Sequence, residues 1–273
     1  MIVTKKYILT ALIICMTGVS ALIAQPSITD LADQVNRVNQ ERLSTIETLE
    51  LTVQTITGDT ADPETLNRYV KDVRNGTAVL VPDTESDQMM TNQEYIEGVF
   101  DGTFENLIRG AESIENDQLN GRAAYKLTIT DPQLLNEYED GMSGDDYAGP
   151  DIQQADLWID RELLVPVQMV YSMGGDFSVE VLMENYEMHS GLPIAKKMTI
   201  DIKGVSSMFS EKDREEARRA MEQLRNQLAQ IPEAQREMIE SRMAGQIEQF
   251  ERILESGNMS ATTVNVRNVR VNQ

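Results

Sequence analysis

Few residues of this chain could do covalent or metal chemistry. Among 273 residues there is one histidine, His189, and one cysteine, Cys15. A histidine metal cluster is therefore impossible, and a Ser-His-Asp triad would depend on His189 alone. His189 follows a predicted strand and precedes Ser190-Gly191, a pair typical of a turn. We therefore expect an exposed turn residue at this position, not a catalytic base.

Carboxylates are abundant, with 45 Asp and Glu side chains. Two of them could hydrolyse a glycoside as acid and base, but so many acids form near pairs by chance. A sugar site would also usually bring more aromatic platforms than the single tryptophan, Trp158. The sequence also contains no glycine-rich phosphate loop with its lysine. It therefore predicts no catalytic residues and no cofactor, and we interpret the protein as not an enzyme.

An acidic loop carries Asp140, Asp145, Asp146 and Asp151. Carboxylate oxygens suit calcium, but this loop lacks the alternating Asp spacing and closing Glu of a calcium-binding helix-loop-helix. We favour a solvated loop and predict no metal site.

The first 24 residues have the composition of an export signal. Lys5 and Lys6 precede an apolar run over residues 7–23, and the small residue Ala24 suits cleavage before Gln25. We therefore expect residues 1–24 to be a signal peptide and the mature protein to be periplasmic. A retained membrane anchor is the alternative, because the apolar run approaches the length of a membrane-spanning helix.

The signal segment contains Cys15, and a lipoprotein signal would need a small residue where bulky Ile14 stands. Removal of residues 1–24 leaves no cysteine, which excludes disulfides, thiol catalysis and thiolate zinc sites. The formal net charge of −21 opposes nucleic acids and anionic lipid surfaces as partners.

The hydrophobic pattern predicts a helix followed by a long antiparallel meander. A helical stripe runs from Ser27 to about Leu49, and the period then changes to two. Asn75-Gly76 is a strong signal for a hairpin, and further alternating strands follow as far as residue 203. A helical pattern occupies residues 208–257, and a last strand with Val264, Val266, Val269 and Val271 has a bulge near Asn268.

Pro166 interrupts the alternation of an apolar hairpin, "ADLWIDRELLVPVQMVY" at 155–171. Proline lacks a backbone N–H, so we expect an edge strand, a bulge or an unpaired position there. Methionines on or beside the strands, among them Met169 and Met198, suit a surface that fits variable apolar partners. The alternative, that they fill the core, stays open.

Three stretches carry a family resemblance: "LNGRAAYKLTI" at 119–129, "ADLWIDRELLVPVQMVY" at 155–171 and "YEMHSGLPIAKKMTI" at 186–200. With the N-terminal helix and the last strand, they resemble the LolA-like outer-membrane lipoprotein-sorting proteins. The resemblance covers roughly residues 27–205 and the last strand. It implies an α+β fold in which a curved antiparallel sheet, an open half-barrel, carries the N-terminal helix on its concave side.

The resemblance also implies that the concave face forms an apolar cavity for acyl chains. The candidate cavity residues are Leu157, Ile159, Val167, Met169, Tyr171, Val179, Val181, Met183, Met198 and Ile200. Residues 208–257 depart from the simple carrier pattern, as an inserted helical hairpin that could cover the cavity or bind a partner.

These expectations combine into one hypothesis and one alternative. Residues 25–273 would form a LolA-like half-barrel domain with the hairpin 208–257 inserted. The protein would be a periplasmic, non-enzymatic binding protein for lipoprotein acyl chains or other lipids, including a lipoprotein-sorting carrier in outer-membrane biogenesis. Alternatively, it would be an envelope interaction or stress-sensing protein that binds an envelope protein partner through residues 208–257.

Overall fold

A computed structural model describes residues 25–74, 76–83, 100, 103–135, 152–208, 210–230, 252–254 and 256–272. The predicted signal peptide, the acidic loop from Asp140 to Asp151 and residues 231–251 of the helical hairpin lie outside this range. Within it, no helix combines the length and the apolar character needed to cross a membrane.

In the part of the chain that the structure describes, the fold is an eleven-stranded antiparallel sheet that curves without closing. Its strands are β1 (Thr48–Thr57), β2 (Thr60–Ala61), β3 (Thr65–Arg74), β4 (Thr77–Pro82), β5 (Ser113–Leu119), β6 (Arg122–Ile129), β7 (Gln154–Asp160), β8 (Pro166–Ser172), β9 (Ser178–His189), β10 (Leu192–Lys203) and β11 (Thr262–Val271). Their order is β4-β3-β1-β11-β10-β9-β8-β7-β6-β5, with β2 paired to β1. The ends of this series, β4 and β5, remain separate edges, which confirms the predicted open half-barrel.

Among the described residues, the sheet is accompanied by three α-helices: α1 (Ile28–Leu43), α2 (Thr103–Arg109) and α3 (Glu211–Ala229). The hydroxyl of Ser27 accepts from the backbone N–H of Asp30 and caps α1, which buries Leu31, Val35 and Leu43. These side chains belong to the same core as the apolar face of the sheet. The helix therefore lies on the concave side, as predicted.

Helix α1 ends before the predicted boundary near Leu49, because a tertiary contact fixes the chain reversal that follows it. The side chain of Asn272 accepts from the backbone N–H of Glu47 at 2.6 Å and donates to the carbonyl of Thr45 at 2.7 Å. Ile46 is fully buried outside the helix. The apolar stripe predicted as far as about Leu49 therefore continues past the end of the helix.

Helix α2 contributes to the core of the fold. Phe104, Leu107 and Ile108 are each at most 2 % exposed, and the helix packs on α1. The Arg109 guanidinium bridges Glu105 and Asp33, so that an ion pair links the two helices at the surface.

The last strand lies between β1 and β10, so residues 204–261 are inserted between two neighbouring strands. Val266 pairs with Val53 and Asn268 with Thr52, which leaves Arg267 as the extra residue of a β-bulge. The bulge predicted near Asn268 is confirmed. It allows the valines on both sides of Arg267 to point to the same apolar face.

Pro166 lies at a second bulge, on a strand inside the sheet. It begins β8, which pairs with β7 and β9, and it stands opposite Ile159 where the β7–β8 register shifts. The Tyr186 hydroxyl donates to the Pro166 carbonyl. A bulge was one of the predicted positions for this proline, and the shifted register accommodates its missing N–H.

Candidate ligand-binding face

One row of side chains crosses the concave face from β6 to β1. In antiparallel sheets, residues directly opposite each other on neighbouring strands share a face. We call the row of successive partners the inner row: Leu127, Leu157, Met169, Val181, Ile200, Thr262 and Thr57, on β6, β7, β8, β9, β10, β11 and β1. It is apolar as far as Ile200 and ends in two threonines.

Exposure rises along the inner row. Leu127 is 0 %, Leu157 1 % and Met169 8 % exposed, whereas Val181 and Ile200 are half-buried. The parallel row changes in the same way, from Tyr171 at 3 % to half-buried Val179 and Ile202. In these two rows the concave face is therefore sealed from β6 to β8 and opens from β9 to β11, whereas the next row on the same strands, Met183, Met198 and Val264, is buried. We call the half-buried group the open sector: Val179, Val181, Ile200, Ile202, Thr262 and Thr57.

The predicted cavity residues divide between these two parts. Buried side chains among them are Leu157, Ile159, Met169, Tyr171, Met183 and Met198, and half-buried ones are Val179, Val181 and Ile200. Val167 lies instead at the β8 bulge, where it borders a recess on the outer face with Ala124 and Asp160. Simple alternation along β8 predicted an inward side chain at Val167, and the shifted register beside Pro166 turns it to the outer face.

The outer recess was not anticipated from the sequence. Its volume is about 250 Å³, and its walls include Arg122, Leu182 and Tyr186. It forms beside the bulge, and Pro166 is the only cue to that bulge in the sequence.

The turn between β7 and β8 holds the sealed part of the face in place. The Asp160 side chain is 2 % exposed, and its Oδ1 accepts from the backbone N–H of Glu162 at 2.9 Å and of Leu163 at 2.8 Å. Its Oδ2 lies 2.8 Å from Arg122 Nη2. A buried carboxylate with these partners fixes the turn and the strands on either side.

Helix α1 is anchored to the same turn through Arg42. Its guanidinium donates to the Leu163 carbonyl at 2.6 Å and to the side chain of Asn39 at 3.3 Å. Burial lowers the pKa of Arg42 from its ordinary value, because desolvation disfavours the charged form. The helix is thereby held over the sealed part of the concave face.

His189 is the last residue of β9, at the tip of the β9–β10 hairpin, and its side chain is 27 % exposed, so it is half-buried and not the exposed turn residue that the sequence predicted. Its Nε2 lies 3.5 Å from Glu187 Oε2, and Lys196 Nζ lies 3.9 Å from the same oxygen. The Glu187 side chain is 59 % exposed. Within the described ranges, no three His, Cys, Asp or Glu side chains are grouped so that they could hold a metal ion.

Comparison with known proteins gives likeness at the level of structure. No family model matches the chain, and no curated protein matches it. Among solved structures, it is similar to a domain assigned to outer-membrane lipoprotein sorting from Vibrio parahaemolyticus, with 11% identity, a TM-score of 0.39 and coverage of 89% of this chain and 94% of that one. It is also similar to a DUF1329 family protein from Desulfovibrio piger, with 10% identity, a TM-score of 0.41 and coverage of 90% and 92%.

A LolA superfamily protein from Nitrosomonas europaea shows the same likeness, with 10% identity, a TM-score of 0.35 and coverage of 89% and 94%. The matches from Vibrio parahaemolyticus and Nitrosomonas europaea carry the family name that the sequence resemblance suggested. Since all three TM-scores are below 0.5, the proposals that follow rest on the geometry of this chain.

Proposed function

We propose that this protein is a periplasmic, non-enzymatic binding protein for lipoprotein acyl chains or other lipids, and that the concave face of its half-barrel is the site. One observation carries the proposal: the open sector keeps apolar side chains half-buried on a face that is otherwise sealed. Protein interiors are close-packed, so an apolar face left partly uncovered on the concave side of a sheet suits a guest of the same chemistry.

The energy of such binding is sufficient for a carrier or a store. Each buried methylene contributes about 0.8 kcal/mol, so covering about ten methylenes of an acyl chain yields about 8 kcal/mol before the cost of association. Micromolar binding needs about 8 kcal/mol net, so the methylenes beyond these ten and the part of the protein face that the chain covers have to offset the cost of association. The ligand also covers the exposed parts of Val179, Val181 and Ile200, which adds to the total.

The test is uptake of a fluorescent fatty acyl ester by delipidated protein. We expect saturation near one ligand per chain and a micromolar Kd. Absence of saturable uptake would reject the proposal.

A matched pair of variants locates the site. Val181 and Val170 are both half-buried, but Val181 belongs to the inner row whereas Val170 pairs with Glu180 and lies on the outer face. Val181→Asn places an amide in the site and is expected to weaken binding at least tenfold, because burying an unpaired amide is costly. Val170→Asn is expected to change binding less than twofold.

The second candidate is an envelope interaction or stress-sensing protein that works through the helical hairpin at residues 208–257. It is favoured by the exposure of α3, which carries ion pairs such as Lys212–Glu216 and Arg219–Glu215 on its surface. A helix with such a charged exposed face could present it to a protein partner.

Deletion of the hairpin distinguishes the two candidates. Ser206 donates its backbone N–H to the Gly257 carbonyl at 3.3 Å, and Gly204 donates to the Asn258 side chain at 3.0 Å. The two ends of the insertion therefore lie together, and a short glycine-serine turn can replace residues 208–256. Ester uptake survives this deletion if the concave face is the site, whereas capture of an envelope partner is lost if the helices do the work.

A further inference from the structure

We infer that Thr57 and Thr262 hold the polar end of the ligand, so that an acyl ester lies across the strands with its head at β1 and β11 and its tail towards β8. This inference rests on the proposed function. It is motivated by the two threonines at one end of the otherwise apolar inner row, whose Oγ1 atoms lie 3.2 Å apart.

The register places both hydroxyls on the concave face. Thr262 stands opposite Ile200 on one side and Thr57 on the other, and all three side chains are half-buried. Two hydroxyls have two protons and several lone pairs, and the contact between them uses one proton. The remaining donor and acceptor capacity suits an ester, which offers oxygen acceptors to a hydroxyl.

The length of the row matches one acyl chain. Neighbouring strands lie about 4.8 Å apart, so the path from Thr57 to Met169 spans roughly 19 Å. The hydrocarbon core of a bilayer is about 30 Å thick, so one leaflet, and hence one acyl chain, reaches about 15 Å. The sealed part of the face begins at Met169 and Leu157, where the chain end would stop.

The charges near the open sector favour an uncharged head. By the alternation of β10, the nearest inner-facing cation on that strand is Lys196, roughly 13 Å from Ile200 along the strand, and its amine lies 3.9 Å from Glu187. Lys203 alternates to the outer face, where Glu180 raises its pKa through a hydrogen bond at 2.7 Å. Neither amine is placed to neutralise a carboxylate at the threonines, so an acyl ester fits better than a free fatty acid.

The experiment compares three probes by fluorescence titration or displacement: 1-monopalmitoylglycerol, palmitate and the headless apolar dye N-phenyl-1-naphthylamine. Wild-type protein is expected to bind the monoacylglycerol more tightly than palmitate. The double variant Thr57→Val with Thr262→Val is expected to bind the monoacylglycerol about five- to tenfold more weakly, because it loses one to two hydrogen bonds to the ester. Its affinity for the dye is expected to stay the same.

The neighbouring Thr263 provides a matched control. It is half-buried and pairs with Ile56 on the outer face, so Thr263→Val removes a hydroxyl without touching the site. Its affinity for the monoacylglycerol is expected to equal that of wild type.

Photoreactive esters test the orientation directly. A diazirine beside the ester is expected to label β11 and the end of β1, and a diazirine at the chain terminus is expected to label β8. Reversed labelling would overturn the inference, as would an unchanged ester affinity in the double variant, even if its thermal stability fell. In both cases continued dye binding would leave the proposed function standing, whereas failure of all three probes to bind would overturn both.

Discussion

Asp160 is expected to be the most stability-sensitive polar residue of the β7–β8 turn. In Asp160→Ala, the backbone N–H groups of Glu162 and Leu163 lose their acceptor, and Arg122 loses its carboxylate. A buried donor left without a partner costs about 1–3 kcal/mol, and because Glu162 is exposed and Leu163 half-buried, the two N–H groups together cost about 2 kcal/mol. The Arg122 side chain is 48 % exposed, so its ion pair adds little.

Urea denaturation followed by the fluorescence of Trp158, two residues before Asp160 on β7, measures this loss. Asp160→Asn is the control, because its amide oxygen can still accept from the turn. We expect this variant to cost about 1 kcal/mol, because its neutral hydrogen bonds are weaker and the charge pair with Arg122 is lost. If the alanine variant were within about 0.5 kcal/mol of wild type, or the two variants were equal, the carboxylate would not be what fixes the turn.

Three further outcomes are expected. Gly204→Ala should lower the unfolding free energy by more than about 3 kcal/mol, because its Cβ would lie 2.0 Å from a backbone carbonyl oxygen at a φ of +70°. The control Gly121→Ala has a φ of +80° and open space around its Cβ, so it should cost only about 1–2 kcal/mol. Urea denaturation measures both variants. Hydrogen bonds from Trp158 and a backbone N–H lower the pKa of Asp117, so this carboxylate stabilises the fold above its unfolded pKa, and the contribution is lost as pH falls through the folded pKa. The pH titration of Trp158 fluorescence should therefore have a midpoint below the ordinary Asp value of 3.8, and Asp117→Asn should remove it. Arg42→Met should lower the melting temperature by removing about 1–2 kcal/mol of hydrogen bonding between α1 and the β7–β8 turn, and an unchanged melting temperature would contradict that anchoring role.

Local pattern was enough to predict much of the sheet. The alternation of apolar and polar residues places Leu157 and Met169 on one face wherever the strands are regular, because the side-chain period of a strand is two. Turn pairs such as Ser190-Gly191, with φ values of 52° and 85°, define hairpins by their own backbone preference. The bulge beside Asn268 also follows from local sequence, since the valine spacing changes from two to three there.

Features that depend on distant contacts did not follow from local pattern. The end of α1 is set by Asn272 at the other end of the chain. The outward position of Val167 follows from a register shift between two strands. The open sector depends on which parts of the concave face the helices cover, and a sequence pattern gives the face of Val181 without giving its exposure.

Methyl NMR of the protein with isotope-labelled methionine methyl groups tests the central claim most directly. Met169 and Met198 lie on the concave face beside the open sector, whereas Met188, 55 % exposed at the β9 tip, lies away from it. On titration with 1-monopalmitoylglycerol, we predict that the Met169 and Met198 signals shift and saturate near one equivalent while Met188 stays unchanged. Unmoved Met169 and Met198 signals at saturating ligand, or equal shifts at Met188, would contradict the account.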